Sequence, residues 1–221
     1  MRIIACFAAT LDGKIGSLMH PRDRVGSKAD LAHLLNIRNQ ADALLYGGET
    51  FRHHPLLRKG SRQQTPPLQC LLTQSFNLPP EAALFQDSLK TDPPAPILIA
   101  SPTPAPSHTR ERYPQQIEWM TTGEASSNPI PPILNVLEAR GINTLLVEGG
   151  GHILNFCLQA QAIDELYLTV CPLLLGGEQN PVLVGGPGFQ VATAPRTEVL
   201  SSEWKDGELY LHLRLNYPPA L

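Results

Sequence analysis

What this 221-residue sequence lacks narrows its class before any motif is considered. No apolar stretch approaches the roughly 20 residues a membrane helix needs. The opening "MRIIACFAATLDGKIG" carries no small-residue cleavage site behind a long apolar region. A soluble, cytoplasmic protein with no membrane partner is the expectation. Charge is sparse and dispersed: 17 basic and 20 acidic residues give a net charge of −3, and no block of one sign offers a nucleic-acid surface. The expected partner is therefore a small molecule. Cysteine is scarce as well. Cys6, Cys70, Cys157 and Cys171 stand far apart without C-x-x-C spacing, and three of them sit in apolar runs, where a free thiol behaves as a small hydrophobe. Neither a disulfide framework nor a metal site is expected.

Proline, by contrast, is plentiful. It crowds residues 66–67, 79–80, 93–106 and 129–132, each time between apolar runs, which marks loops and not a disordered tail. Those apolar runs, "RIIACFA", "DALLYG", "LQCLLT", "PILIA", "TLLVE" and "ELYLTV", are β-rich and alternate with helical patterns. Strands that are continuously apolar are those buried on both faces of a mostly parallel sheet, so the fold class is α/β. Ser27-Lys28-Ala29-Asp30 reads as a capping box before Leu31, Leu34, Leu35 and Arg38 at helical spacing, which places a helix over about Lys28 to Gln40. Pro131 and Pro132 open a second helix that Gly141 stops. Thr197 to Ser202 and Leu209 to Leu215 alternate around Lys205-Asp206-Gly207, an antiparallel hairpin expected at the sheet edge. Length favours one domain spanning residues 1–221.

Glycine carries the strongest hint of chemistry. "TLLVE" and "HILNFCLQA" are separated by Gly149, Gly150 and Gly151. At a strand-to-helix junction, glycines let backbone N–H groups approach an anion, and the helix N-terminus adds partial positive charge. Such a turn equally serves a tight connection that binds nothing. The spacing is not G-x-G-x-x-G, and the acidic residue, Glu148, precedes the glycines at the carboxyl end of the strand, where open α/β sheets place ligands. "ALLYGGETFR" repeats the arrangement with Gly47 and Gly48 and with Thr50 as a hydroxyl N-cap. "ATLDGKI" leaves the first strand through Asp12-Gly13 and delivers Lys14 to the same edge, although an Asp-Gly pair is also an ordinary turn. Arg52, His53, His54, Arg58, Lys59 and Arg62 form a local basic cluster suited to a substrate phosphate or, equally, to a solvated loop. Pro172 to Gly177 closes another strand with paired glycines.

Taken in order, "ATLDGKI", "LLNIRNQADALLYGGET", "NTLLVEGGGHILNFCL", "IDELYL" and "PLLLGG" resemble the reductase domain of riboflavin biosynthesis. That domain is the C-terminal half of the bifunctional deaminase/reductase. The resemblance implies a dihydrofolate-reductase-like, three-layer α/β/α fold with a mostly parallel central sheet and a C-terminal antiparallel hairpin. It also implies an NADPH-dependent reductase that opens the ribose of a ribosylaminopyrimidine 5′-phosphate into a ribityl chain, acting as a homodimer. No H-x-E with P-C-x-x-C occurs, so the zinc chemistry of the deaminase half is not encoded here and a stand-alone reductase is expected.

Most residue roles follow from the same resemblance, while Gly47, Gly48, Asp12 and Arg58 are drawn from the turns and the basic cluster above. Ala9 and Thr10 border the nicotinamide, Gly47, Gly48 and Thr50 meet the cofactor, and Gly149, Gly150, Gly151, His152, Ile153 and Leu154 cradle its diphosphate. Lys14 and Glu148 are the candidate catalytic residues. Asp12, Arg38, His54, Arg58 and Glu148 are the candidate substrate residues. Two departures stand out: His54 falls where the family carries an aspartate, and Thr73-Gln74 replaces an aspartate-serine pair. The alternatives are a dihydrofolate or pteridine reductase on the same fold, favoured by an acidic residue in an early buried helix, and a nucleotide-binding protein without catalysis. Asp30 is the one acid that the first helix offers.

Overall fold

The computed structural model describes residues 1–124 and 127–218. The chain divides into two compact units, one of Met1 with residues 35–146 and one of residues 2–34 with residue 147 onward. Its strands are β1 (Arg2–Thr10), β2 (Ala43–Gly47), β3 (Leu68–Leu72), β4 (Ile97–Ser101), β5 (Glu118–Thr121), β6 (Thr144–Gly149), β7 (Glu165–Cys171), β8 (Arg196–Lys205) and β9 (Glu208–Asn216). Its helices are α1 (Lys28–Arg38), α2 (Gly48–His53), α3 (Ala83–Ser88), α4 (Ser107–Arg110), α5 (Ile130–Ala139) and α6 (Gly151–Gln159). This is the α/β, mostly parallel architecture with a C-terminal antiparallel hairpin that the apolar runs imply. Among the described residues no helix is long and apolar enough to cross a membrane.

In the first unit, β5, β4, β3 and β2 lie side by side in that order, all parallel, and the opening residues of β6 follow β2. Strands β3 and β4 are buried at every residue, as expected of a strand covered on both faces. Pairing of Gly47 with Leu72, and of Leu72 with Ala100, brings the carboxyl ends of β2, β3 and β4 into line. Fully buried Phe51 and Phe85 meet at 5.5 Å, and Phe85 meets Tyr113 edge-on at 5.1 Å. Burial of one such ring contributes about 1.5–3 kcal/mol. Helix α5 begins one residue before the expected Pro131, has its prolines in the first turn where no N–H is missed, and ends before Gly141 at φ +74°.

In the second unit, the end of β6 is followed by β1, β7, β9 and β8. β1 and β7 are parallel, whereas β7, β9 and β8 are antiparallel, with β8 outermost. The hairpin is longer than the sequence pattern suggests.

Helix α1 departs from expectation in three ways. It stops at Arg38, with Asn39 and Gln40 in a turn. Its buried positions are Asp30 and Ile37, while Leu31, Leu34 and Leu35 are half-buried. The capping box is also incomplete: the Ser27 hydroxyl accepts from the Ala29 and Asp30 amides, but the Ser27 N–H donates to Glu208, 2.9 Å away, and not to Asp30. Glu208 wins because its other oxygen takes the Ser27 and Tyr210 hydroxyls as well, at 2.6 and 2.8 Å. Asp30 turns instead to Arg24 at 3.3 Å, and burial pushes its carboxyl above the usual range against the hydrogen bond from Thr169.

Candidate active site

The turn after β6 explains its glycines one at a time. Gly149 is the buried last residue of the strand, and Glu148 beside it is half-exposed. Gly150 is the N-cap of α6 at φ +65°, ψ 147°, a conformation that residues with a Cβ avoid. Gly151 opens the helix, and a Cβ there would overlap the Val182 carbonyl oxygen and crowd the Gly185 nitrogen at 3.1 Å. Two of the three glycines are thus required by the chain itself. The first N–H groups of a helix have no partner within it, so this turn also presents donors and partial positive charge. Ile153 and Leu154 are buried, whereas His152 is exposed.

The backbone that presses on Gly151 belongs to the segment from Pro172 to Gly186, which is also hydrogen-bonded to the exit of β1. Leu11 N donates to Leu173 O, Ile15 N to Pro181 O and Leu183 N to Gly13 O, each at 2.9 Å, while Gly185 N donates to Gly151 O at 3.0 Å. Asp12 is the anchor: its carboxylate accepts from the Leu175 amide at 3.1 Å, the Gly176 amide at 2.7 Å and the Thr10 hydroxyl. Those donors, the hydroxyl foremost, hold its pKa down to about 2. Gly176 and Gly177, at φ +62° and +74°, allow the reversal that brings these amides to Asp12. Lys14 is half-buried, its ammonium donating to the Asn180 carbonyl at 3.3 Å. Ala9 and Thr10 are buried at the end of β1.

The turn after β2 is built differently. The N-cap of α2 is Gly47, with an ordinary extended φ of −85° and no side-chain cap. The assignment of Thr50 as hydroxyl N-cap is therefore corrected: Thr50 is the third residue of the helix, half-exposed, its carbonyl accepting the His54 N–H at 3.1 Å. The helix starts three residues earlier, at Gly48, where the chain passes close to Thr73 and a Cβ would lie 3.0 Å from the hydroxyl oxygen.

The basic cluster does not form one solvated surface. Arg58 is buried, its guanidinium 3.9 Å over the Tyr46 ring and donating to the His54 carbonyl at 3.3 Å. Its backbone is held by Gln69, which is also buried. His54 is half-exposed at the end of α2, and Arg52, Lys59 and Arg62 are exposed.

Within the second unit the structure gathers Ala9, Thr10, Asp12 and Lys14 with the Pro172 to Gly186 segment and the start of α6. Within the first it gathers Gly47, Gly48, Thr50, His54 and Arg58. Arg38 ends α1 half-exposed. Sequence reading missed Asn180, Val182 and Gly185, whose only signal is the paired glycines at 176–177 and 185–186. The four cysteines are buried and none forms a disulfide, and burial pushes Cys70 and Cys157 up to about 12, which keeps both thiols protonated and unreactive.

Comparison with known proteins matches residues 1–210 to the RibD C-terminal domain. The chain is 25% identical over 193 residues to a 2,5-diamino-6-ribosylamino-4(3H)-pyrimidinone 5′-phosphate reductase of Archaeoglobus fulgidus, covering 82% of this chain and 85% of that one. It is 30% identical over 160 residues to the protein of the same name from Aquifex aeolicus, covering 72% and 69%. It shares its fold with Acinetobacter baumannii RibD at a TM-score of 0.77 and 18% identity, covering 97% of this chain and 58% of that one.

Proposed function

The chain belongs to the RibD C-terminal domain family, and we propose that it is the riboflavin-biosynthesis reductase acting on a ribosylaminopyrimidine 5′-phosphate, with NADPH as hydride source. The observation that carries this reading is the glycine turn between β6 and α6, set at the carboxyl end of a strand beside Glu148 and closed over by a segment anchored on the exit of β1. When bound, the nicotinamide supplies the hydride; the chain binds, orients and handles protons. Gly149 to Leu154 cradle the diphosphate, the N–H groups at the very start of α6 turned toward it while the Leu154 N–H closes the turn on the Gly150 carbonyl. Ala9 and Thr10 border the nicotinamide, and Gly47, Gly48 and Thr50 meet the cofactor. Glu148 accepts hydrogen bonds from hydroxyls of the opened ribose, and the Lys14 ammonium holds a proton for the nitrogen that becomes basic as the imine carbon is reduced. Arg38 and His54 face the substrate. Arg58 acts behind His54 by holding its carbonyl, and Asp12 acts behind Lys14 by fixing the segment that carries Asn180.

The exposed outer strand β8, with Val199 and Trp204 bare to solvent, supports a homodimer that covers this edge. Trp204→Glu is expected to shift sedimentation from dimer to monomer.

One observation favours a second reading. Asp30 is an acid buried in an early helix, the feature that favours a dihydrofolate or pteridine reductase on this fold, and burial raises its pKa. NADPH oxidation measured side by side with the ribosylaminopyrimidine phosphate and with dihydrofolate separates the two; turnover of dihydrofolate alone would replace the first reading with the second. Glu148→Gln is expected to lower kcat/KM for the pyrimidine by about 1.5–3 kcal/mol while leaving NADPH affinity within a few-fold.

A further inference from the structure

The Lys14 ammonium is half-buried, and among the described residues the acceptor it finds is the Asn180 carbonyl, 3.3 Å away. An ammonium carries three N–H donors, so one goes to this carbonyl and two are left for a ligand. What fixes the carbonyl is the side chain of the same residue. Asn180 Nδ2 donates to the Gly176 carbonyl at 2.9 Å, and Asn180 Oδ1 accepts the Leu18 N–H at 3.0 Å. Resting on the assignment of Lys14 to the reductase chemistry, we propose that Asn180 is a positioning residue: its amide holds its own carbonyl as the seat of the Lys14 ammonium and ties that seat to the connection between β1 and α1.

The local chemistry explains why an asparagine stands there. Pro181 follows it, and a residue before proline is pushed to extended backbone, which narrows the directions its carbonyl can take. The Asn180 N–H closes a turn on the Gly177 carbonyl at 3.2 Å. A Cβ on Gly177 would come 2.8 Å from Asn180 Nδ2, so a glycine admits the amide. Gly176 is gripped at both ends, its N–H by the Asp12 carboxylate at 2.7 Å and its carbonyl by Asn180. The hold of Asp12 on the segment therefore reaches Lys14 through Asn180. Across from it, Lys14 bridges Val182 and the Ile15 N–H donates to the Pro181 carbonyl at 2.9 Å, which sets the lysine backbone beside its acceptor. An amide accepts at one atom and donates from the other. Aspartate could keep the Leu18 bond but would turn an acceptor toward the Gly176 carbonyl, and alanine keeps neither. Movement of the exposed stretch at Leu18 and Met19 is thereby passed to the seat of the ammonium.

A double-mutant cycle of Asn180→Ala with Lys14→Met, read in steady-state kinetics with NADPH and the ribosylaminopyrimidine phosphate, tests the assignment. Asn180→Ala alone is expected to lower kcat about ten-fold, since small misplacements of a reacting group cost that much or more, while KM for NADPH stays within about two-fold. In the Lys14→Met background the same substitution should change kcat by less than about two-fold. In 13C-labelled protein the two Lys14 Hε protons should give separate signals while the ammonium is held and merge in Asn180→Ala, as rotamer averaging sets in. Should Asn180→Ala fail to fold, Asn180→Asp takes its place in the cycle. An equal loss of kcat in both backgrounds would assign Asn180 to the fold alone and overturn the proposal. Unchanged kcat in Asn180→Ala, or Lys14→Met at the wild-type rate, overturns it too and leaves the reductase reading in place. Wild type that turns over no pyrimidine substrate sinks the reductase reading instead, and the Hε signals then judge the seat by themselves: merging in Asn180→Ala supports it, and signals that stay as in wild type reject it.

Discussion

The glycines after β2 and those after β6 look alike on paper, yet they are held by different forces. After β6, Gly150 is needed for its left-handed backbone and Gly151 for the pressure of the Val182 carbonyl upon it. After β2, Gly47 has a conformation open to any residue, and the nearest neighbours of Gly48 are the side chains of Thr73 and Arg52. Backbone pressing on backbone cannot yield without moving a whole segment, whereas a threonine can rotate. A glycine pair at a strand end therefore reports a close approach, without revealing whether the approaching group is chain or ligand.

The contrast is broken most severely at Gly151. Gly151→Ala places a methyl group against the backbone of residues 182 to 185, and about 3 kcal/mol of stability is expected to be lost. Denaturant unfolding measures this; a loss below 1 kcal/mol would mean that the segment is free to lift. Gly150→Ala is expected to cost about 1–3 kcal/mol through its backbone conformation alone. A drop in cofactor affinity in either variant counts toward ligand binding only where the folded protein keeps its native Tm, which makes them poor probes of the diphosphate. Gly48→Ala is the better probe. Crowding of Thr73 costs about 1 kcal/mol, and the helix propensity of alanine over glycine returns up to about 1 kcal/mol. Net stability should scarcely move, so a weakened NADPH affinity in this variant would reflect the ligand.

Asp12 sharpens the comparison by showing what holds the segment down. With its carboxyl held at about 2, its hold is complete above the ordinary carboxyl value near 3.8 and is lost as pH falls through about 2. Amide exchange at Leu175 and Gly176 should be flat from pH 8 to 5 once corrected for intrinsic rates, then lose protection between about pH 4 and 2. Asp12→Asn should show the loss at every pH. Protection that fails already at pH 6 would show that another group carries the segment.

The same distinction explains what could be read from the residues. Strands β2, β3 and β4 are legible because burial on both faces writes an uninterrupted apolar run. β5 is not, being four residues long and exposed at both ends. Helices α3 and α4 span six and four residues among prolines, too short for a period to show. At the site, the strand-glycine-helix junctions were visible because backbone conformation is a local property. The backbone amides that Asp12 holds are 163 and 164 positions away, and Glu208 reaches Ser27 across 181. No local pattern encodes such pairings. Arg58 misled for a related reason: a charge beside histidines suggests solvent until Tyr46 and Gln69 are seen to enclose it.

The smallest effect on stability is expected at Thr50, and it bears on whether the turn after β2 serves a ligand. A hydroxyl that caps a helix is worth about 1 kcal/mol when removed. Thr50 is not the cap, since Gly47 occupies that position and Thr50 lies a half-exposed three residues on. Thr50→Val keeps the branched shape and should change unfolding free energy by less than about 0.5 kcal/mol, as surface substitutions generally do. Any larger change in NADPH affinity must then come from the lost hydroxyl meeting the cofactor. A loss of about 1 kcal/mol in stability would restore the capping role after all, and unchanged stability with unchanged affinity would leave the turn after β2 as a packing device alone, with the glycines after β6 as the remaining cofactor-binding turn.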